Sequence, residues 1–236
     1  MKAVILAGGL GTRLEPFTRV IPKPLLPLGE SSVLETQIVS LKRCGFDEIY
    51  IATNYRADYV QAFLGDGSKY GVRLHFSRES KPLGTCGPLL LLKDVLTGPF
   101  LVMNGDILTT LRFDRVYELA LGLDTWLTVV TKEVLAPFHF GKVTTEGDYL
   151  LRVEEKPDFK LEIVAGIYVL KPEALDLIPP DTYYGIDSLI KDMLAGGHRV
   201  ARHLIKDYWI DIGRVEDYHE AQDGYQEHFV HLLREP

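Results

Sequence analysis

The 236-residue chain is poor in cysteine, in long apolar runs and in surplus positive charge, and each shortage excludes a class of protein. Its only two cysteines, Cys44 and Cys86, cannot build the disulfide framework of a small secreted domain or a cysteine-rich metal centre. Cys44, near a helix end, reads as a small buried apolar residue. No apolar run reaches the roughly 18 to 20 residues of a membrane span, and the N-terminus lacks a signal-peptide pattern. A cytoplasmic protein with no membrane contact is expected. Lys and Arg number 26 against 33 Asp and Glu, a formal net charge of −7 that argues against general nucleic-acid binding. Any phosphate ligand must then be held by a few placed cations. No internal repeat, low-complexity stretch or linker interrupts the chain.

What is present points to one α/β domain over 1–236. With 46% hydrophobic residues, the chain can bury a full core. The apolar run Ala3-Val4-Ile5-Leu6-Ala7 breaks into Gly8-Gly9-Leu10-Gly11-Thr12-Arg13. That order suits a first buried parallel strand feeding a ligand loop at its carboxyl end. Glycines let backbone N–H groups approach an anion, and an arginine adds a permanent cationic fork. The spacing G-G-x-G-T-R fits neither the dinucleotide fingerprint nor the Gly-Lys-Ser/Thr end of a P-loop. A tight strand-to-helix turn without a ligand is the bland alternative.

Downstream, Pro16, Pro22, Pro24 and Pro27 predict an extended path over 15–30, with Lys23 a candidate fixed ammonium between two prolines. Ser32-Val33-Leu34-Glu35 has capping-box spacing and opens a helix to about Cys44, stopped by Gly45. A strand over Glu48–Thr53, a helix over Ala57–Leu64 and a strand over Val72–Phe76 complete a βαβαβ pattern. This predicts a doubly wound, Rossmann-like, mainly parallel sheet flanked by helices. The loop Lys81-Pro82-Leu83-Gly84-Thr85-Cys86-Gly87-Pro88 is placed to lie against a base or ribose, or simply to be capped by Thr85. It leads into a helix predicted from about Leu89 to Val95. A strand over Pro99–Met103 delivers Asn104-Gly105-Asp106, whose carboxylate is a natural magnesium ligand or, in the commoner case, part of an Asx turn.

A helix over Asp114–Leu121 is followed by alternating strands at Leu127–Thr131, Phe140–Thr144 and Tyr149–Val153, which predict a β-hairpin extension. Glu154-Glu155-Lys156-Pro157 offers an acceptor for sugar hydroxyls and an ammonium for a phosphate, or is an ordinary charged turn. Ile163–Leu170 reads as a strand with Ala165-Gly166 allowing close backbone approach. A helix starts at Pro172 and another runs from Ile186 to Leu194. Strands at Arg199–Leu204 and Asp207–Ile210 lead to Asp211 in a glycine turn, and an amphipathic helix runs from Arg214 to about Leu233. His219, His228 and His231 read as surface residues. That helix could pack between subunits of a homo-oligomer.

Seven pieces of this chain, in matching order, together resemble the sugar-1-phosphate nucleotidyltransferase family. They are Gly8-Gly9-Leu10-Gly11-Thr12-Arg13, Pro22-Lys23-Pro24-Leu25, Pro82 to Pro88, Asn104-Gly105-Asp106, Glu154-Glu155-Lys156-Pro157, Ala165-Gly166-Ile167-Tyr168 and Trp209-Ile210-Asp211-Ile212-Gly213. The resemblance implies that a nucleoside triphosphate is held by Leu6, Gly8, Gly9, Gly11, Thr12, Arg13, Lys23, Leu83, Gly84 and Thr85. It implies that Asn104, Gly141, Glu155, Lys156, Val164 and Gly166 engage a sugar 1-phosphate, and that Asp106 and Asp211 hold Mg2+. Arg13, Lys23, Asp106, Lys156 and Asp211 would carry catalysis, with 1–110 as the nucleotide half and 111–236 as the sugar-phosphate half. The Leu-Gly-Thr-x-Gly-Pro-Leu loop is most like that of mannose-1-phosphate guanylyltransferases, which favours GTP, with UTP, CTP or dTTP as alternatives. Many relatives carry a C-terminal β-helix, and the lack of a hexapeptide repeat predicts a transferase domain without one.

The implied chemistry is in-line displacement at the α-phosphorus of the triphosphate by the sugar phosphate oxygen, releasing pyrophosphate. Positioning and countercharge suffice for it, so neither a covalent intermediate nor a catalytic His or Cys is expected. Two readings of another kind stand beside it, a fold relative that activates a non-sugar phosphate and a silent regulatory subunit that binds a nucleotide sugar. A nicotinamide-dependent oxidoreductase is disfavoured by the loop spacing.

Overall fold

A computed structural model describes residues 1–230. The chain order is β1 (Lys2–Leu6), β2 (Pro27–Leu28), β3 (Ser31–Ser32), α1 (Val33–Arg43), β4 (Glu48–Thr53), α2 (Ala57–Leu64), β5 (Arg73–Arg78) and α3 (Gly87–Leu90). It continues with β6 (Phe100–Asn104), β7 (Ile107–Thr109), α4 (Phe113–Leu121), β8 (Leu127–Pro137), β9 (Lys142–Glu146), β10 (Tyr149–Glu154) and β11 (Asp158–Leu170). α5 (Ile186–Ala195), β12 (Val200–Ile205), β13 (Trp209–Asp211) and α6 (Val215–His228) complete it.

Seven strands form one sheet in the order β12-β8-β11-β6-β1-β4-β5. β11 pairs antiparallel with both β6 and β8, and every other pair is parallel. The mixed, mainly parallel sheet is therefore the doubly wound arrangement expected, and strands of both halves of the chain share it. β1 lies inside it, between β6 and β4, with Ala3, Val4 and Ile5 fully buried, as a short apolar run covered on both faces requires. One apolar cluster packs α1, α2 and α4 on one face, and a second packs the segments around Leu89, Leu175 and Leu189 on the other.

α1 begins where its capping box predicts, with Ser32 Oγ accepting from the Glu35 N–H and Glu35 accepting from the Ser32 N–H. Several other expectations shift. The prolines of 15–30 do not hold an extended path but punctuate short 3-10 turns at Phe17–Arg19 and Lys23–Leu25. The helix expected over Leu89–Val95 is only the single turn Gly87–Leu90 followed by irregular turns. The strand expected at Phe140–Thr144 begins two residues later, and β11 starts at Asp158, so Glu155-Lys156-Pro157 is the bend between β10 and β11. The hairpin extension is β9 with β10, beside the projecting ends of β8 and β11. α6 ends at His228; His231 and Leu233 lie outside the described residues.

Candidate active site

The carboxyl ends of the parallel strands β1, β4 and β6 open onto a cleft of about 600 Å³. The loop after β1 forms its floor. Its backbone turns through left-handed Gly11 into the 3-10 turn Thr12–Leu14, which brings Arg13 to the rim. Next to it, β6 ends in Asn104-Gly105-Asp106. Gly105 donates its N–H to the Leu6 carbonyl at 2.9 Å, and a Cβ on Gly105 would stand 2.8 Å from that oxygen, so no larger residue fits so close to β1. From behind, the buried Gln37 amide of α1 donates to the carbonyls of Asn104 and Ile107 at 3.0 and 2.7 Å. The Asp106 turn is thereby fixed from both sides.

Asp211 reaches the same place from far along the chain. β13 pairs antiparallel with β7, with Asp211 opposite Ile107, and the Ile212 N–H donates to the Asp106 carbonyl at 2.9 Å. The Lys23 ammonium lies 2.5 Å from Asp106 Oδ2, while Asp106 Oδ1 is buried with no hydrogen-bond partner. Burial pushes the Asp211 carboxyl up to about 6, the nearby Asp106 charge adds to the rise, and Lys23 and Arg13 oppose it. Asp211 is open to the solvent on one side, and water there moderates the shift.

Among the described residues no group of three or more His, Cys, Asp or Glu is arranged to hold a metal. The pair Asp106 and Asp211, with one orphaned carboxylate oxygen, does fit a hard divalent cation that completes its shell with phosphate oxygens and water. Asn104 Oδ1 is likewise buried and unpartnered.

On the far side of the carboxylates lies a second cavity of about 220 Å³, bordered by Asn104, Val164, Gly166, Tyr168, Asp187, Trp209 and Asp211. Trp209 is held there by donating its indole N–H to the Ala165 carbonyl at 2.8 Å. The two cavities share Asn104, so ligands in them would meet at Asp106 and Asp211.

Of the residues assigned to a nucleotide, Leu6, Gly8, Gly9, Gly11, Thr12, Arg13, Lys23, Gly84 and Thr85 border the larger cleft. Leu83 does not; it is buried and donates its N–H to Glu79 Oε2 at 2.8 Å. Thr85 caps a helix, but not the one that follows it: its hydroxyl accepts the Ile186 N–H at 2.7 Å, at the start of α5. Of those assigned to a sugar phosphate, Asn104, Val164 and Gly166 border the smaller cavity. Gly141, Glu155 and Lys156 border neither; they lie exposed on the hairpin extension, with Lys156 in the left-handed region at φ 45°.

The cleft also contains residues that the sequence did not single out, notably Asn54 and Glu79, and it takes in Gly213 of the glycine turn after Asp211. Glu79 follows β5 directly and is buried, its carboxyl raised by burial and partly restored by the Leu83 N–H. Its Oε1 would stand 2.9 Å from a Cβ on Gly8. An acidic residue at the carboxyl end of a strand was the available signal. Tyr183 lines the larger cleft, whereas Asp187, four residues on, borders the smaller one.

The nucleotidyl transferase family model matches residues 2–228. A mannose-1-phosphate guanyltransferase of Schizosaccharomyces pombe is 34% identical over 227 residues, covering 92% of this chain. The chain spans 62% of that relative's length. Among solved structures, a Bacillus anthracis protein assigned as a glucose-1-phosphate thymidylyltransferase, in complex with a sucrose, superposes with a TM-score of 0.80 at 26% identity, covering 96% of each chain. HddC from Yersinia pseudotuberculosis complexed with GMP-PN superposes with a TM-score of 0.74 at 27% identity, covering 95% of this chain and 99% of that one.

Proposed function

The chain belongs to the nucleotidyl transferase family, and on that premise we propose that it transfers a guanylyl group from GTP to a sugar 1-phosphate, yielding a nucleotide sugar and pyrophosphate. The observation that carries this reading is the placement of Asp106, Asp211 and Lys23 between two cavities, one bordered by the glycine loop and Arg13, the other by Asn104, Val164 and Gly166. A triphosphate in the first and a phosphate in the second would face each other across these charged groups.

The chemistry asks little of the protein beyond position and charge. The acceptor phosphate is already an anion at neutral pH, so the site has to overcome repulsion between two polyanions and stabilise charge on the transferring phosphorus. Arg13 and Lys23 supply fixed countercharge. Mg2+ bound by Asp106 and Asp211 would supply more, shared with the phosphate oxygens. Lys156, on the hairpin, would serve the sugar phosphate only if that extension moves toward the smaller cavity.

GTP is favoured by the guanyltransferase name of the Schizosaccharomyces pombe relative and by the GMP-PN in the HddC complex. The chemistry of Glu79 agrees with it. A buried carboxylate is an acceptor, and guanine offers it adjacent N1–H and N2–H donors. The test is pyrophosphate release with GTP, CTP, UTP, dTTP and ATP, each against a panel of sugar 1-phosphates. Release that needs both substrates, is fastest with GTP and stops with chelator is the expected result. Release from no pair would refute the transferase reading, and preference for another base would refute the GTP assignment alone.

A further inference from the structure

Arg56, in the turn between β4 and α2, has no part in the reaction as drawn above, yet its backbone lies in the left-handed region at φ 53° and ψ 37°. An arginine adopts that conformation only under strain, because its Cβ crowds the following carbonyl. Glycine would serve the turn better. The side chain accounts for the choice. Its guanidinium donates from Nη1 to the Val20 carbonyl at 2.7 Å and from Nη2 to the Arg19 carbonyl at 2.6 Å, with Nε on the Tyr55 hydroxyl at 2.9 Å. Those two carbonyls end the 3-10 turn Phe17–Arg19, where a cation is favoured and where no backbone N–H of the described residues takes them up.

The segment held in this way carries two cations of the larger cleft, Arg13 at one end and Lys23 at the other. Its tip has little burial of its own, with Val20 69% and Phe17 42% exposed. Thr18 turns inward and donates its hydroxyl to the Gly11 carbonyl at 2.9 Å. A Cβ on Gly11 would stand 2.9 Å from the Thr18 methyl and 3.0 Å from Lys23 Cβ, so the tip, the glycine loop and Lys23 pack as one piece. The anchor is equally fixed. Asn54, two residues before Arg56, borders the cleft, and its Cβ would stand 3.3 Å from one on Gly8. Resting on the transferase reading above, we propose that Arg56 is a positioning residue: it latches the segment 12–22 to the β4–α2 turn and so holds Arg13 and Lys23 in place for the triphosphate. The planar fork matters, since it meets two neighbouring carbonyls in parallel where a lysine would act as a point charge. Without the latch the segment is less often in place, and the apparent affinity for triphosphate falls with the fraction that is competent to bind.

Arg56→Gly is the discriminating variant, because glycine relieves the left-handed backbone while removing the fork. Its melting temperature should stay within about 2 °C of the wild type. KM for the preferred triphosphate should nonetheless rise about tenfold or more, with kcat within about twofold, because bound triphosphate draws the segment back into place. Arg56→Lys, which keeps the charge, should show most of the same rise. An unchanged KM in Arg56→Gly, a KM rise that only accompanies a large melting loss, or full rescue by lysine overturns the proposal. Hydrogen exchange on the ligand-free chain tests the latch without the reaction. Amides of 17–21 should exchange about tenfold or more faster in Arg56→Gly and in Arg56→Lys than in the wild type, and equal exchange overturns the latch. A wild type that releases pyrophosphate from no pair of substrates would refute the transferase reading and with it the role at the triphosphate, while the exchange comparison would still decide whether Arg56 holds the segment.

Discussion

The Lys23 ammonium lies 2.5 Å from Asp106 Oδ2, joining a proline-flanked turn near the start of the chain to the end of a central strand. Both side chains are largely shielded, so each is the other's main countercharge. Lys23→Met leaves the Asp106 carboxylate unpaired, which costs about 1–3 kcal/mol of stability. It should also lower turnover by about 10²–10³-fold through loss of charge stabilisation at the phosphates. A melting scan separates the two effects. Free Mn2+ should raise the melting temperature of the variant more than that of the wild type, because the ion no longer competes with the ammonium for Asp106. Equal shifts in both proteins would show that Lys23 does not restrict cation access.

Asp211 sets the pH dependence. Its folded-state pKa of about 6 lies above the ordinary 3.8, so the folded chain holds the proton more tightly than the unfolded one. The stability associated with the protonated form is complete below pH 3.8 and is lost as pH rises through about 6. On the proposed reading turnover runs the opposite way, since the ionised carboxylate would be the cation ligand. Activity should fall as pH drops below about 6, and a saturating divalent ion should move that limb to lower pH. Asp211→Asn should melt higher than wild type at neutral pH, because it removes the repulsion from Asp106, yet lose about 10²–10³-fold in turnover. A lower melting temperature in the variant would contradict the repulsion.

Under the proposed function, Glu79 is the residue that would select the base. If its carboxylate accepts from the guanine edge, Glu79→Gln replaces one acceptor oxygen by a donor and sets it against a donor of the base. A mispaired charged hydrogen bond of this kind is worth about 1–3 kcal/mol, or roughly 10–100-fold in kcat/KM for GTP. The rate with the other triphosphates should change much less. A uniform loss over all five would mean that Glu79 only supports the Leu83 loop through its 2.8 Å hydrogen bond.

The sequence was most informative where one physical rule dominates a short stretch. The capping box of Ser32 and Glu35, the buried run of β1 and the boundaries of β4 and α2 follow from local patterning, and the structure places them as expected. The glycine loop, Lys23 and Asp106 were legible as candidates because glycine, proline and a carboxylate at a strand end each limit what the backbone can do. What local patterning does not carry is pairing at a distance. The β7–β13 ladder that delivers Asp211 beside Asp106 joins two three-residue strands, too short to show alternation. The length of β11 was obscured because its first half projects beyond the core and alternates weakly, with Asp158, Lys160 and Glu162 all exposed. Glu79 was not legible because a single glutamate just past a strand end reads as solvated, and its burial comes from the fold of the loop that follows, through the Leu83 N–H.

Thr85 distinguishes a structural role from a ligand role within a single residue. Its hydroxyl accepts the Ile186 N–H at 2.7 Å, and around it the Cys86 N–H donates to the Tyr184 carbonyl and the Tyr184 N–H to the Leu83 carbonyl, both at 2.9 Å. The loop over 81–88 is thus clamped to the segment that opens α5, one side bordering the larger cleft and the other reaching Asp187 at the smaller. Thr85→Val keeps the shape and removes the acceptor, leaving the first N–H of α5 unsatisfied, which should cost about 1 kcal/mol of stability. If the hydroxyl serves only the clamp, KM for the triphosphate should stay near that of the wild type while the melting temperature falls. If it also touches the nucleotide, KM rises with it. Gly84→Ala calibrates the comparison, because a Cβ there would stand 2.6 Å from the Tyr184 carbonyl oxygen at a φ of +80°. That variant should force the two segments apart and lose both stability and triphosphate affinity, by about 1–3 kcal/mol in stability. A Gly84→Ala protein with unchanged melting and KM would show that the clamp yields, and the coupling between the two cavities through this loop would have to be abandoned.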